Sequence, residues 1–262
     1  MMAPPRPVVA LVTGASRGIG CVIAQQLALR GVRIALHYRN NREAAERTVA
    51  LLAGAGHAIF AADLADPDAP ARLWQQVNEQ LGCIDVLVNN AGLYMQHSPL
   101  KTGYVDWQTA WQRTLAANLL APASLSLLAA QSMASRAVPV DAAFGRGRII
   151  NISSRGAFRG EPDAPAYGAS KAGLNALSQS LAKALAAHAI YVYCVAPGWV
   201  ETEMATAHLR GPEGAEILAQ HPLGRVNRTA EVAQATVYCA LDAPAAMTGC
   251  VIDVNGASYL RT

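Results

Sequence analysis

The sequence predicts an α/β fold, a single doubly wound parallel sheet of about seven strands with helices on both faces. Three observations lead there. Short β-branched runs alternate with longer amphipathic stretches along the chain, the pattern of repeated βαβ units. The first run ends in a glycine-rich turn that opens a helix. Polar residues able to do chemistry fall at the carboxyl ends of the runs, where open parallel sheets hold their ligands.

The elements follow in order. Residues 8–13 are apolar and stop at glycines, as a buried strand does, and residues 18–30 then carry Ile19, Val22, Ile23, Leu27 and Ala28 at helical spacing. A strand is expected at 32–38, a helix at 41–55, a strand at 58–62, a helix at 67–81 and a strand at 84–88. One long helix is expected at 106–136. Strand 148–152, helix 166–187, strand 190–195, helix 230–241 and strand 250–254 complete the series. Segment 137–147 reads as a surface loop. Residues 199–222 are polar and irregular, and sit where a substrate lid would be.

Composition limits the alternatives. The 262 residues read as one domain, 1–262, with residues 1–6 a flexible tail; 52% are hydrophobic, enough for a large core. A balance of 21 basic and 18 acidic residues, without a polybasic block, argues against a nucleic-acid partner. Cys21, Cys83, Cys194, Cys239 and Cys250 are scattered and lack CxxC spacing, so neither a metal site nor a disulfide framework is expected, and a reducing, cytoplasmic location is. The start of the chain lacks the apolar stretch of a signal peptide. Polar residues interrupt every apolar run before about 20 residues, so no membrane span is expected.

The turn after the first strand reads Thr13-Gly14-Ala15-Ser16-Arg17-Gly18-Ile19-Gly20. Between a strand and a helix, these glycines allow backbone to approach a pyrophosphate, and the helix N-terminus offers free N–H groups. This makes the sheet Rossmann-type and points to Gly14, Ser16, Arg17, Gly18, Ile19 and Gly20 as dinucleotide ligands. The second strand ends His37-Tyr38-Arg39-Asn40, with no acid to accept bonds from an adenosine ribose. Arg39 and Arg17 would instead bind a 2′-phosphate through charge-assisted bonds, which favours NADP(H) over NAD, with Tyr38 alongside. Asp63 and Leu64, after the third strand, would meet the adenine; Asp63 reads equally as a helix N-terminal acid.

Tyr167 and Lys171 stand four apart and would share one helix face. A neighbouring cation lowers a phenol pKa and makes tyrosine useful for proton transfer. On its own such a pair is more often an ordinary surface contact. Ser154, at the end of the 148–152 strand, adds a hydroxyl that could donate to a carbonyl oxygen as charge develops there.

With these pieces joined, the chain resembles the short-chain dehydrogenase/reductase family over nearly its whole length. The resemblance rests on Thr13 to Gly20, Asn89-Asn90-Ala91-Gly92, Asn118 seven after Trp111, Ser154 thirteen before Tyr167, Tyr167-Gly-Ala-Ser-Lys171, and Pro197-Gly198 through Thr202. It is closest to the 3-oxoacyl-carrier-protein reductase-like branch, including Pro222-Leu-Gly-Arg225 and Glu231-Val-Ala233. The resemblance implies Ser154, Tyr167, Lys171 and Asn118 as the active site. It adds Asn90, Ala91, Gly92, Lys171, Pro197, Gly198, Val200 and Thr202 to the cofactor ligands. It implies NADPH-dependent reduction of a ketone or 3-oxoacyl carbonyl with Tyr167 as general acid. The alternatives are NADP-linked oxidation of a sugar, polyol or other secondary alcohol, and a non-catalytic dinucleotide-binding protein. A homotetramer or dimer is expected, and the substrate is a small molecule.

Smaller expectations complete the reading. Pro122 lacks the N–H that would bond the Asn118 carbonyl, so it either kinks the long helix and leaves that carbonyl to a water, or merely sits near a helix start. Pocket liners would be Leu93, Tyr94, Met95, His97, Arg155, Phe158, Arg159, Trp199 and Met204. Of these, Arg155 and Arg159 read as exposed loop charges before they read as anion ligands, and His97 as a loop histidine. Asn255-Gly256-Ala257 departs from the family's usual Asp-Gly-Gly, and Thr229 from a frequent proline.

Overall fold

The computed structural model describes residues 6–136, 143–212 and 214–261. Seven strands form one sheet: β1 (Val9–Val12), β2 (Arg33–Tyr38), β3 (Ala58–Ala61), β4 (Val86–Asn89), β5 (Gly147–Ile152), β6 (Ile190–Pro197) and β7 (Val251–Val254). Their order is β3-β2-β1-β4-β5-β6-β7, and every pairing is parallel. The order reverses between β1 and β4, which opens a crevice beyond their carboxyl ends.

Alternation along the strands divides the core in two. Ala10 and Val12 of β1 face α1 (Gly18–Leu29), α2 (Arg42–Ala50) and α10 (Thr229–Val237). Val9 and Leu11 face the other layer, α3 (Ala69–Leu81), α5 (Ala121–Ala134) and α7 (Pro165–Leu185). Both strand faces are buried, which explains runs that are continuously apolar rather than alternating.

Several boundaries differ from expectation. Helix α2 stops at Ala50, with Leu51 as its C-cap, and the chain then turns through Gly54 and Gly56 at φ +91° and +80°. The long helix runs from α4 (Tyr104–Leu115) to α5 through a π turn at Ala116–Leu120, where the Ala121 N–H reaches back to the Ala116 carbonyl. Pro122 follows immediately. The wider turn rotates the helix and puts Asn118 fully inside. A short helix α6 (Gly156–Arg159) and two helices in the expected lid, α8 (Glu203–Arg210) and α9 (Gly214–Ala219), lie in segments without a periodic apolar pattern.

The stretch Tyr104–Ala134 is long and apolar enough to cross a membrane by length and composition alone. Its apolar side is used within the fold, where Ala121, Leu125, Ala129 and Met133 pack under the sheet. Arg6, expected in a flexible tail, is anchored. Both of its terminal nitrogens bond the buried Asp85 carboxylate at 2.7 Å, and Arg136 approaches the same group at 2.6 Å. Residues 1–5, most of the expected loop at 137–147, and the Met204 side chain lie outside what is described.

The departure at the C-terminus has a backbone cost. Ala257 takes φ +59°, a left-handed conformation in which its Cβ crowds the following carbonyl. Replacing Ala257 by Gly should stabilise the protein by up to about 1 kcal/mol, the strain relieved less the added freedom of the unfolded chain. A urea unfolding midpoint that rises at constant slope is the expected result.

Candidate active site

The crevice is a continuous cavity of about 490 Å³. One half is the glycine turn. Thr13 fastens it: its hydroxyl accepts the Asn90 and Ala91 N–H groups at 2.9 and 3.0 Å, joining the ends of β1 and β4. The Asn90 side chain bonds the Thr13 and Gly14 carbonyls. A Cβ on Gly20 would sit 2.5 Å from both the Asn90 amide nitrogen and the Gly14 carbonyl, so this glycine is set by close approach. Gly14 and Gly18 take φ +63° and +58°. Helix α1 has no side-chain cap and no acid in its first turn, which leaves its N–H groups available to an anion.

His37 ties this half together. Its Nδ1 accepts the Gly14 N–H at 3.0 Å, so its Nε2–H donates to the Ala62 carbonyl, also at 3.0 Å. Burial lowers its pKa to about 4 and keeps it neutral. His37 takes the place expected of Tyr38. Strand alternation sends Tyr38 the other way, into the core beneath α1, where it is only 6% exposed. The same alternation could have found His37, because Arg39, two residues on, lies on its face and lines the cavity.

Of the other expected ligands, Gly14, Ser16, Arg17, Gly18, Ile19, Arg39, Asp63, Leu64, Asn90, Ala91, Gly92, Pro197, Gly198, Val200 and Thr202 line the cavity, and Gly20 packs behind it. Arg17 forms an exposed ion pair at 3.0 Å with Glu203 of α8. No three-residue cluster of His, Cys, Asp or Glu suited to a metal occurs among the described residues.

Ser154, Tyr167 and Lys171 line the other half. The Ser154 hydroxyl accepts the Gly156 N–H at 3.0 Å, which orients it. Burial pushes the Tyr167 phenol up to about 12, a hydrogen bond with Ser154 opposes the rise, and the charge of Glu161 adds to it. Burial lowers the Lys171 ammonium to about 8. Lys171 donates to the Ile152 carbonyl at 2.8 Å and stands 5.7 Å from the Tyr167 ring centre. A phenol pKa lowered by this cation is therefore not what the geometry gives: desolvation outweighs the pairing.

Asn118 is brought to this centre but does not line the cavity. Its Oδ1 accepts the Leu93 N–H at 2.7 Å, and its Nδ2 donates to the Leu93 carbonyl at 2.9 Å and Ser170 Oγ at 3.2 Å. The side chain is a clamp on the segment after β4. Leu93, Tyr94 and Trp199 line the cavity as expected, and Tyr94 meets the Tyr167 ring edge-on at 5.1 Å. Met95, Phe158 and Arg159 do not line it. His97 is buried, accepting the Ala166 N–H at the start of α7 and bonding the Met95 carbonyl, so it braces that helix. Glu161, Arg113 and His208 line the cavity without having been anticipated, since no motif marks them.

Asn118 makes a direct test of the clamp. Asn118→Leu preserves the volume but leaves the Leu93 N–H and carbonyl unpaired in the interior. It should cost about 2–6 kcal/mol in a denaturant melt, at about 1–3 kcal/mol for each of the two orphaned groups.

Comparison with known proteins agrees with this geometry. Residues 14–257 match the family model described as enoyl-(acyl carrier protein) reductase. A 3-oxoacyl-[acyl-carrier-protein] reductase, FabG, of Staphylococcus aureus is 35% identical over 255 residues, covering 96% of this chain and 98% of that protein. Nodulation protein G of Rhizobium sp. strain N33 is 37% identical over 247 residues, covering 94% and 95%. Among solved structures, a provisionally assigned NAD(P)-dependent gluconate 5-dehydrogenase from Beutenbergia cavernae, with NADP bound at low occupancy, superposes with a TM-score of 0.84 at 30% identity, covering 96% of each chain. With glycine turn, serine, tyrosine and lysine around one cavity, the chain belongs to the short-chain dehydrogenase/reductase family, in its 3-oxoacyl-carrier-protein reductase-like branch.

Proposed function

We propose that this enzyme is an NADPH-dependent oxidoreductase that reduces a ketone or 3-oxoacyl carbonyl to an alcohol, with Tyr167 as the general acid. The observation that carries the reading is the convergence of Ser154 and a protonated Tyr167 on the cavity that also holds the glycine turn. The residues present fit the dinucleotide. The uncapped N-terminus of α1 suits its pyrophosphate, and Arg39 and Arg17 suit a 2′-phosphate where no acid ends β2. Asp63 and Leu64 suit the adenine end. Asn90, Ala91, Gly92, Lys171, Pro197, Gly198, Val200 and Thr202 suit the nicotinamide end. When bound, the reduced nicotinamide supplies a hydride.

The chain's own residues manage the oxygen. Ser154 donates a hydrogen bond to the carbonyl oxygen and polarises it. Tyr167 transfers its proton to that oxygen as negative charge develops. Lys171, lowered to about 8 by burial and so titrating within reach of neutral pH, is placed to return a proton towards the phenol. A phenol held up to about 12 is suited to giving a proton, which favours reduction over oxidation. The second reading, oxidation of a sugar or polyol, is favoured by the likeness to the protein assigned as a gluconate dehydrogenase. Exposed Leu120 and Leu127 on one long helix support assembly with further copies of the chain.

Two measurements test the proposal. Tyr167→Phe should lower kcat about 100- to 10,000-fold, the range of a lost general acid, while NADPH still quenches protein fluorescence with unchanged affinity. Activity near wild type refutes the acid role, and binding without turnover in the wild-type protein across ketones, 3-oxoacyl thioesters and sugars would establish a non-catalytic binder. For kcat/KM in reduction, the active form has Lys171 charged, so the rate should fall as pH rises through about 8, with no separate tyrosine limb below about 12. Lys171→Arg stays charged throughout and should remove that limb from whatever activity remains.

A further inference from the structure

Arg155 immediately follows Ser154 and lines the same cavity. Its sequence reads as an exposed loop charge, but the structure buries it to 2% exposure. Its backbone N–H is fixed on the Pro197 carbonyl at 2.8 Å. Its guanidinium donates to two neutral oxygens, Gln220 Oε1 at 2.9 Å and the Ser258 carbonyl at 3.4 Å. Among the described residues no carboxylate forms an ion pair with it. The nearby Glu161 pairs instead with Arg159, at 3.4 Å. A charge taken out of water is costly: burial, with repulsion from Arg159, lowers even this guanidinium to about 10 against the longer-range pull of Glu161.

We propose that Arg155 is the anion receptor of the substrate half of the cavity, and that it selects a carbonyl compound carrying a carboxylate. This rests on the carbonyl-reducing reading above. Arg155 and Arg159 flank Glu161 at this end, with Asp163 close to Glu161. The planar guanidinium suits a carboxylate in two-point contact. Ser258 Oγ is buried without a partner beside the carbonyl that Arg155 bonds. Because Arg155 is adjacent in sequence to Ser154, a substrate anchored by its carboxylate would present its carbonyl to the serine–tyrosine pair.

The test compares keto acids with their uncharged esters: acetoacetate with methyl acetoacetate, and levulinate with methyl levulinate, reduced with NADPH. The wild-type enzyme should prefer the acids. Arg155→Gln should lower the acid-to-ester ratio of kcat/KM about 10- to 100-fold, the value of a hydrogen bond to a charged group, and Arg155→Lys should keep part of the preference. Parallel binding of NADPH is followed by fluorescence, and should not weaken in Arg155→Gln. Equal losses on acid and ester, or a loss confined to NADPH affinity, would overturn the proposal in favour of a structural or cofactor role.

Calorimetric titration of the NADP⁺-loaded protein with the same keto acids separates the two readings, since no reduction occurs in that state. Carboxylate binding that disappears in Arg155→Gln, in a protein that reduces nothing, would sink the reductase reading and keep the receptor. Absence of carboxylate binding and of acid preference in the wild-type protein would sink the receptor.

Discussion

The structure depends on the reversal of strand order between β1 and β4. Chain leaving β1 turns to one side of the sheet and chain leaving β4 to the other, so nothing crosses the gap between them. The gap must still be closed at its floor, and one hydroxyl does this. Thr13 accepts two N–H groups from the segment after β4 and so fixes the glycine turn relative to Asn90 and Ala91. Asn118 repeats the device one step further out, at Leu93. The cavity floor is thus a line of backbone groups held by buried polar side chains, each with its partners satisfied.

Desolvation sets the electrostatics built on that floor. Tyr167, Lys171, His37 and Arg155 are all moved towards their neutral forms by burial, which leads the causes in each case. The outcome differs with the starting point. His37 becomes a neutral strut with a fixed tautomer. Tyr167 stays protonated throughout the physiological range. Lys171 alone is brought towards neutral pH. One physical effect therefore assigns three roles, and the neighbours modify it only at the margin.

How much could be read beforehand follows from how local each signal is. The strand–helix alternation placed all seven strands, because buried parallel strands must be apolar on both faces. The glycine turn and the Tyr167–Lys171 pair were legible because their spacing is short and their geometry follows from one element. Tyr38 went to the wrong face because two adjacent strand residues point oppositely, and only the tertiary placement shows which side is the crevice. Arg155 was misjudged because a charge next to a loop is ordinarily solvated; what buries it comes from β6, the turn after α9 and the C-terminal residues, far away in sequence. The helices α8 and α9 gave no periodic signal, being short and half exposed.

Gly20 bears on what such signatures mean. A side chain there would collide with the Asn90 amide and the Gly14 carbonyl, both parts of the protein itself. The glycine is therefore demanded by the scaffold whether or not any nucleotide arrives. A descendant of this chain could lose its chemistry altogether and still be obliged to keep this glycine in order to fold. The turn is a record of ancestry and architecture, and a working enzyme is told by side chains that face the cavity, such as Ser154 and Tyr167.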